Sequence, residues 1–493
     1  MNIFPFEIIN IIIEYDKNLL TILTSLNKLL YDYRKYLNID VNYIYIKKFK
    51  TTFQIRTLYN INEYPLANIN KKIQKFIFHE HFNKKIYKFK ETSNVTHITF
   101  GEHYNKITEN LPSTIKHLTF GYHFNKIIDD LPENITHLTF GNNFNQKLDK
   151  LPKNLTHLTF GNNFNQKVDN LPENVTHLTF GNDFNQLINC SLKNLTHLVF
   201  GDDFNKQIDE LPSNLTHLIL GARFNETIDV LPKNITRLTF GVDFNQKVDK
   251  LPNNITHLTF GFFFDQLVDN LPNNITHLTF GHEFDQKVDN LPNKIIHLIF
   301  ETFFDQKVDN LPKNIIHLTF GYTFNQNVDN LPKNITHLTF GTNFNQQVDN
   351  LPNNISHLTF GYYFNQNIDN LPKNITHLTF GHYFNQNIDN LPINITSLTF
   401  GHFFNQKVNN LPNNITHLTF GHYFNQNIDN LPKMITHLTL GYEFNHCIDN
   451  LPINIISLTL DKKFNPTISR LKKYVSRFSE FSTLFFNLFL FMI

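Results

Sequence analysis

Tryptophan is absent from this 493-residue sequence, and cysteine is nearly absent, with only Cys190 and Cys447. These two cysteines lie far apart and at different places in a repeating pattern, which argues against a disulfide framework and predicts a reducing compartment. An excess of charge is also missing, because 43 basic residues stand against 42 acidic ones and the net charge is +1. So neutral a chain gives no electrostatic reason to expect nucleic acid as a partner.

Glycine and proline are scarce and occur almost only at fixed places. All 17 glycines occupy one position of a 20-residue period, from Gly101 to Gly441, and only Glu301 interrupts them. Of the 20 prolines, 17 follow a leucine at a second fixed position, as in Leu131-Pro132. Between residues 91 and 470 the period gives 19 units. A fixed period of this length is the signature of a solenoid, in which each unit stacks on its neighbours.

Each unit predicts one short β-strand. Apolar Ile135, Leu138 and Phe140 alternate with polar residues, which is typical of a half-buried strand. Stacked units place these strands side by side in a parallel sheet, and the two recurring phenylalanines of each unit become two stacked aromatic spines. The fold class is therefore a repeat solenoid, mainly β, with irregular returns between the strands.

Three recurring polar positions have structural explanations. A buried amide at the Asn125 position can satisfy backbone groups in the turn. A carboxylate at the Asp129 position can cap a turn that has the proline in its first position. A histidine at the His137 position recurs 16 times, and the alternation places it on the outer face of the sheet. A straight row of rings about 4.8 Å apart does not converge on one ion. We therefore predict no metal site, no cofactor and no catalytic residue.

The unit resembles the short, LP-containing form of the leucine-rich repeat. It resembles more closely the FNIP repeat, a leucine-rich-repeat-like family named for Phe, Asn, Ile and Pro. Those positions are held here by Phe124, Asn125, Ile128 and Pro132. The resemblance extends over about four fifths of the chain. It implies a leucine-rich-repeat-like parallel β coil.

Residues 1–40 resemble an F-box. That family opens with Leu-Pro-x-Glu-Leu/Ile, and Phe4-Pro5-Phe6-Glu7-Ile8 stands in its place, followed by apolar residues at three- and four-residue steps that predict short helices. The resemblance implies docking on the adaptor subunit of a cullin-RING (SCF-type) ubiquitin ligase. The alternative is that these helices only cap the first coil. The implied adaptor contacts are Phe4, Pro5, Glu7, Ile8 and Ile12.

The remaining segments complete the predicted organisation. Residues 41–90 are expected to form a transition with divergent capping repeats, residues 91–470 the solenoid, and residues 471–493 a short C-terminal helical cap. The apolar stretch that starts at Leu484 is shorter than the roughly 20 residues that a membrane helix needs, so membrane contact is not expected. The N-terminus lacks the features of a signal peptide, which predicts an intracellular protein, cytoplasmic or nuclear.

At two adjacent positions, directly after the glycine, the residue varies from unit to unit. They carry mostly amides and acids in the N-terminal coils, and mostly aromatic residues and histidines in the C-terminal coils. Such a pair is either neutral surface or the place where specificity is encoded, and exposed aromatics in a row are unusual for neutral surface. We predict that the densest aromatic run binds a protein target. Its members are Tyr362, Tyr363, His382, Tyr383, His402, Phe403, His422 and Tyr423.

These features predict a non-enzymatic interaction protein. By resemblance, it recognises substrates for a cullin-RING ubiquitin ligase, and the solenoid presents an unknown protein target. A second hypothesis is a repeat scaffold without any link to a ligase. A third is an enzyme hidden in the solenoid. No Ser-His-Asp arrangement, carboxylate pair or phosphate-binding loop stands out from the repetition, which disfavours the third.

Overall fold

The computed structural model describes the chain in two compact units, Met1–Phe204 and Asn205–Ile493. The described residues contain 22 β-strands and no helix. The predicted F-box-like helices and the C-terminal helical cap lie outside the described residues, and both stay predictions. The described residues are 38–42, 54–61, 73–86, 94–107, 111–128, 130–188 and 192–460.

In the first unit, each described strand pairs in parallel with the next one along the chain. Equivalent residues pair at 20-residue steps, as His117 does with His137, while the step from Lys75 to His97 is longer. The strands are β1 Asn38–Asn42, β2 Gln54–Ile61, β3 Lys75–Phe78, β4 His97–Thr99, β5 His117–Thr119, β6 His137–Thr139, β7 His157–Thr159, β8 His177–Thr179 and β9 His197–Val199.

The second unit repeats the same parallel register, for example between His357 and His377. Each of its strands except the last pairs with the strand 20 positions further on. The strands are β10 His217–Ile219, β11 Arg237–Thr239, β12 His257–Thr259, β13 His277–Phe280, β14 His297–Phe300, β15 His317–Thr319, β16 His337–Thr339, β17 His357–Thr359, β18 His377–Thr379, β19 Ser397–Thr399, β20 His417–Thr419, β21 His437–Thr439 and β22 Ser457–Thr459.

The apolar positions of each coil form the core. In β17, Leu358 is buried between half-buried His357 and Thr359, which confirms the predicted half-buried strand. Further along the same coil, Phe364 and Ile368 are also buried. A single coil has no second layer to cover these side chains, so the coils above and below it supply the cover.

The two recurring phenylalanines form the predicted aromatic spines. Phe360 stacks on Phe380 with 5.7 Å between ring centroids, and Phe364 stacks on Phe384 at 6.1 Å. Within one coil, Phe360 and Phe364 lie 3.7 Å apart, so the two spines are in contact. Each aromatic pair contributes roughly 0.5–1.5 kcal/mol beyond the burial of its area.

Residues 73–86 form a coil that departs from the repeat but keeps its core. Ile73, Phe76, Phe82 and Ile86 are buried. Phe78 stacks on Phe100 of the following coil at 5.1 Å. The spine therefore extends into this divergent coil.

The glycine position is dictated by the close approach of neighbouring backbones. A Cβ added to Gly361 would overlap the carbonyl oxygen of Gly341. Glu301 is the exception, and a bend replaces the turn both there and in the next coil, after Gly321. Strands β13 and β14 also extend by one residue, so that Phe280 pairs with Phe300. The sequence predicts a break in the strand at glycine, whereas the structure supplies the reason, which is backbone contact.

Polar ladders join the coils along the irregular return. The backbone N–H of Asn385 donates to Oδ1 of Asn365 at 2.9 Å, and Nε2 of Gln386 donates to the same oxygen at 3.1 Å. The Asn365 side chain is half-buried, less than the sequence suggests. Oδ1 of Asp369 accepts from Nδ2 of Asn390 in the next coil at 2.9 Å. The aspartate thus contacts a neighbouring coil through this hydrogen bond.

Candidate functional site

The variable pair lies in the turn directly after each strand. The backbone N–H of Tyr383 donates to the carbonyl of Tyr362 at 2.9 Å, and Phe403 makes the same bond to His382. One such bond holds each turn to the turn before it. Because the turns repeat, equivalent side chains project in the same direction and stack.

The first residues of the pair form a continuous column, which we name the inner column. Tyr362 stacks on His382 at 4.3 Å, and His382 stacks on His402 at 4.3 Å. His422 and Tyr442 follow, each 4.6 Å from the ring before it. Tyr442 was not among the predicted site residues, although it occupies the same position of the repeat.

The second residues of the pair form an outer column beside the first. Tyr363 stacks on Tyr383 at 5.4 Å, Tyr383 on Phe403 at 4.9 Å, and Phe403 on Tyr423 at 5.0 Å. Edge-to-face contacts join the two columns in each coil, as between Tyr362 and Tyr363 at 4.9 Å. The predicted site residues of the second unit are therefore brought together as a double stack of rings.

The double stack is accessible from solvent. Tyr363 is 46% exposed, Tyr383 40% and Tyr423 42%, whereas Phe403 is half-buried between its neighbours. The histidines of the inner column are half-buried as well. Stacking covers most of each ring face inside the columns, so we expect a partner to meet ring edges and tyrosine hydroxyl groups.

One histidine of the inner column, His402, favours the neutral form. Burial lowers the pKa of His402, and the neighbouring His382 and His422 lower it further. The Nδ1 atom of His382 is buried and has no hydrogen-bond partner in the described part of the chain. Such an atom has a desolvation cost of about 1–3 kcal/mol. Ring stacking rather than a polar contact holds this histidine in place.

The same turn in the first unit carries mostly polar side chains, with Tyr122 as an exposed aromatic residue. The backbone hydrogen bond between successive turns is the same as in the second unit, since the N–H of Asn163 donates to the carbonyl of Asn142 at 2.8 Å. A shorter aromatic cluster occurs in the second unit, where Phe262 stacks on His282 at 4.6 Å and Phe263 is exposed. The double stack at Tyr362–Tyr442 is therefore longer than the Phe262–His282 cluster, and it is aromatic where the turns of the first unit are mostly polar.

In the histidine ladder on the outward face of the sheet, neighbouring rings lie closer together than the strand spacing of about 4.8 Å. His277 and His297 lie 4.4 Å apart and nearly parallel. Oγ1 of Thr276 lies 2.9 Å from Nδ1 of His277 and donates to the carbonyl of Thr256 at 3.1 Å. Because that hydroxyl proton is used by the carbonyl, the geometry favours Nδ1–H of His277 as the donor to Oγ1. Burial lowers the pKa of His277.

No metal centre is apparent in the described residues. No three or more His, Cys, Asp or Glu side chains are grouped there in a way that could hold a metal ion. The parallel rings of the ladder explain this, because their lone pairs do not meet at one point. No described segment forms a helix with the length and apolarity to span a membrane.

The predicted adaptor contacts Phe4, Pro5, Glu7, Ile8 and Ile12 lie outside the described residues, so their surroundings are not part of the site described above.

The parallel strands, the aromatic spines and the exposed turn columns define a leucine-rich-repeat-like solenoid suited to protein–protein interaction. The FNIP Repeat family matches the chain over residues 92–303 and 327–463, in successive segments of about two repeats. The chain belongs to the FNIP-repeat family. Repeat scaffolds of this kind are typically non-enzymatic.

Solved structures include one with high similarity. The crystal structure of CroV588, described as a novel circular LRR protein, is 44% identical, covers 83% of this chain and 70% of its own, and has a TM-score of 0.74. YopM from Yersinia enterocolitica WA-314 is 16% identical over 83% of this chain and 84% of its own, with a TM-score of 0.44. InlJ from Listeria monocytogenes is 12% identical over 58% and 69%, with a TM-score of 0.38. A search of curated proteins gave no match.

Proposed function

We propose that this chain is a non-enzymatic scaffold that binds a protein target through the inner and outer columns. The observation that carries the proposal is the double stack of nine rings, from Tyr362 to Tyr442, with three tyrosines of the outer column at least 40% exposed. Tyrosine and other aromatic residues are enriched among the residues that dominate binding energy. Stacked rings are also rigid, so little side-chain entropy is lost when a partner docks.

The charges around the columns favour a protein partner over nucleic acid. The turn residues of the two columns include no lysine or arginine from Tyr362 to Tyr442, and the whole chain has a net charge of +1. Binding to a phosphate backbone depends on clustered lysine and arginine. A partner with apolar and hydrogen-bonding groups suits the ring edges and hydroxyls better.

A triple substitution of Tyr363→Ser, Tyr383→Ser and Phe403→Ser tests this proposal. The wild-type chain and the variant would each be used to capture proteins from its host-cell lysate, with quantification by mass spectrometry. A target held by the columns should be depleted at least about tenfold in the variant, which corresponds to a loss of about 1.4 kcal/mol. The matched control replaces Asn142, Asn143 and Asn163 with serine and should retain the target. Equal capture by wild type and the Tyr/Phe variant would reject the columns as the site.

We further propose that the N-terminal segment links this scaffold to the adaptor subunit of a cullin-RING ubiquitin ligase, inside the cell. This part is supported only by the resemblance of Phe4-Pro5-Phe6-Glu7-Ile8 to the F-box opening, with Ile12 four residues further along the sequence. In this arrangement the target bound by the columns is the ligase substrate. The second candidate is the same scaffold without a ligase, in which residues 1–40 only cap the first coil.

The adaptor proposal has its own test. Pro5→Ala combined with Ile8→Ala should abolish binding to a purified adaptor subunit, because buried anchor residues typically contribute about 2 kcal/mol or more. Circular dichroism of the strands should stay unchanged. Cooperative unfolding of the whole chain by these two substitutions would favour the cap, and failure of the wild-type chain to bind the adaptor would reject the ligase link.

A further inference from the structure

A second group of exposed aromatic side chains lies in the second unit, in coils that precede the inner and outer columns. At the second position of the variable pair, Phe263 is 47% exposed and Phe303 is 44% exposed. Half-buried Glu283 holds the same position in the coil between them. We name these three residues the acidic–aromatic patch. We propose that the patch binds an arginine side chain of a partner protein, with the guanidinium group between the two phenyl rings and against the Glu283 carboxylate.

The patch differs from the outer column in its middle residue. In the outer column, Tyr383 fills the space between its neighbours, at 5.4 Å from Tyr363 and 4.9 Å from Phe403. In the patch, a carboxylate takes the place of that middle ring. The backbone is the same, since the N–H of Glu283 donates to the carbonyl of the preceding turn at 2.9 Å. The two phenyl rings therefore face a charged group where the tyrosines face another ring.

The spacing of the two rings suits a flat cation. Phe263 meets Phe262 edge-to-face at 4.8 Å, which leaves the side of Phe263 toward the next coil without a stacked ring among the described residues. Two coil steps of about 4.8 Å place Phe263 and Phe303 about 10 Å apart. A cation midway between them lies about 5 Å from each ring, within the range of about 6 Å over which aromatic faces attract cations.

Negative charge surrounds the patch. The turn residues 261–265, 281–285, 301–305 and 321–325 include five carboxylates and neither lysine nor arginine. No ion pair formed by the described residues involves any of these carboxylates. They belong to Asp265, Glu283, Asp285, Glu301 and Asp305. The local charge therefore favours a basic partner, although the whole chain is nearly neutral.

The added charge is not needed for the ladder that joins the coils. The N–H of Asp285 donates to Oδ1 of Asp265 at 3.0 Å, and asparagine accepts the same bond in the other coils, as in Asn365. Asp265, Asp285 and Asp305 are the only aspartates at this position from residue 105 to 445, and Glu301 alone replaces glycine from 101 to 441. These exchanges of a neutral residue for an acid occur in the same three coils as the patch.

Charge and ring faces together select the guanidinium group. An apolar side chain between the rings would bury the Glu283 carboxylate without a partner, which is unfavourable. Arginine has a planar cation that stacks on aromatic faces and donates two parallel hydrogen bonds to one carboxylate, whereas lysine has a compact and more strongly hydrated charge. A bound cation also reduces the repulsion among the neighbouring carboxylates. The patch thus fits arginine better than lysine, and this assignment does not depend on the target of the two columns.

The proposal is tested by fluorescence anisotropy of the full chain with a fluorescein-labelled peptide in which three arginines alternate with serine. Low salt is used, because salt screens contacts between exposed charges. We expect saturable binding by the wild type. E283Q keeps the size of the side chain and removes its charge, so it should weaken binding about tenfold. F263L keeps an apolar side chain and removes the ring, so it should weaken binding about threefold.

D183N is the matched control. Asp183 holds the same turn position in the first unit, where its neighbours at that position are Asn163 and Asp203 and no ring is present. This variant removes the same charge as E283Q and should bind the peptide as the wild type does. A peptide with lysine in place of arginine should bind the wild type at least about threefold more weakly. Circular dichroism of each variant checks the fold.

Three outcomes would overturn the proposal. The first is a wild-type chain that shows no saturable binding of the arginine peptide. The second is an equal loss of affinity in D183N and E283Q, which would mean that overall charge attracts the peptide. The third is a lysine peptide that binds the wild type as tightly as the arginine peptide, which would remove the role of the planar guanidinium group.

Discussion

The turns of the first and second units share a backbone and differ in the side chains they carry. The N–H of Asn163 donates to the carbonyl of Asn142 at 2.8 Å, and the N–H of Tyr383 donates to the carbonyl of Tyr362 at 2.9 Å. Beneath these turns the buried rings also stack alike, with 6.0 Å between Phe144 and Phe164 and 6.1 Å between Phe364 and Phe384. The framework therefore does not distinguish the two regions.

This comparison separates two roles within one repeat. The glycine, the phenylalanines and the Asn ladder fix the backbone, and so they set the direction in which the variable pair points. The variable pair alone then determines which chemical groups the surface presents to a partner. Amides such as Asn142 and Asn163 offer hydrogen bonds that water can also make, whereas Tyr363 and Tyr383 offer rigid aromatic edges that gain from being covered.

The largest expected effect concerns the shared framework. Phe364→Ala and Phe164→Ala should each lower the free energy of unfolding by about 3–5 kcal/mol, because each ring is fully buried and its loss leaves a cavity. Chemical unfolding followed by circular dichroism measures both. Losses of similar size support a common framework. A near-neutral effect at either position would contradict a framework common to the two units.

A smaller loss of stability is expected for the Tyr363→Ser, Tyr383→Ser and Phe403→Ser variant. These rings stack on one another but remain partly exposed, so we expect a cost of about 1–2 kcal/mol in total, from exposed aromatic pairs. Thermal and chemical unfolding measure it against wild type. If the triple variant unfolds completely, the three side chains are core residues and the assignment of the site is wrong.

The histidine ladder gives a pH prediction. Burial lowers the pKa of His357, and the neighbouring His337 and His377 lower it further. The unfolded chain then binds more protons, so the stabilisation is fully present above the unfolded value of 6.5 and is lost as the pH falls through it toward the lower folded value. We expect a lower melting temperature at pH 5 than at pH 7.5.

The substitution His357→Gln sharpens this test, because it removes one member of the ladder and should remove a small part of the pH sensitivity. His137→Gln is its counterpart in the first unit, where burial also lowers the pKa. An equal or higher melting temperature of the wild type at pH 5 would mean that opposite charges compensate the protonated rings.

The smallest effect is expected for Asn142→Ser, Asn143→Ser and Asn163→Ser. These polar side chains lie at the surface and contribute little burial, so the free energy of unfolding should change by less than about 0.5 kcal/mol per site. The same unfolding experiments measure it. A larger loss than in the Tyr/Phe variant would show that the amide row has a structural role that the aromatic columns lack.

The 20-residue period was sufficient to predict the strands and the spines. Alternation around Leu358 indicates which side chains face the core, and repetition at 20-residue steps then determines the parallel register. The distances between equivalent side chains of neighbouring coils were less predictable, because these distances differ from one position of the repeat to another. The rings of His357 and His377 are 4.3 Å apart, while those of Phe364 and Phe384 are 6.1 Å apart, and a single strand spacing cannot give both.

The surface was predicted in part. The aromatic run was visible because its residues depart from a strict repeat, and Tyr442 could have been included on the same signal. The role of Gln386 in the Asn ladder depends on a contact between coils, which the alternation pattern does not describe.

The central claim is that the aromatic columns, and not the equivalent turns of the first unit, contact the target. Photo-crosslinking tests it most directly, with p-benzoylphenylalanine placed at Tyr383 in one protein and at Asn163 in another, each irradiated in host-cell lysate. We expect a discrete cross-linked protein at Tyr383 and none of comparable yield at Asn163. The same adduct at equal yield from both positions, or an adduct from Asn163 alone, would contradict it.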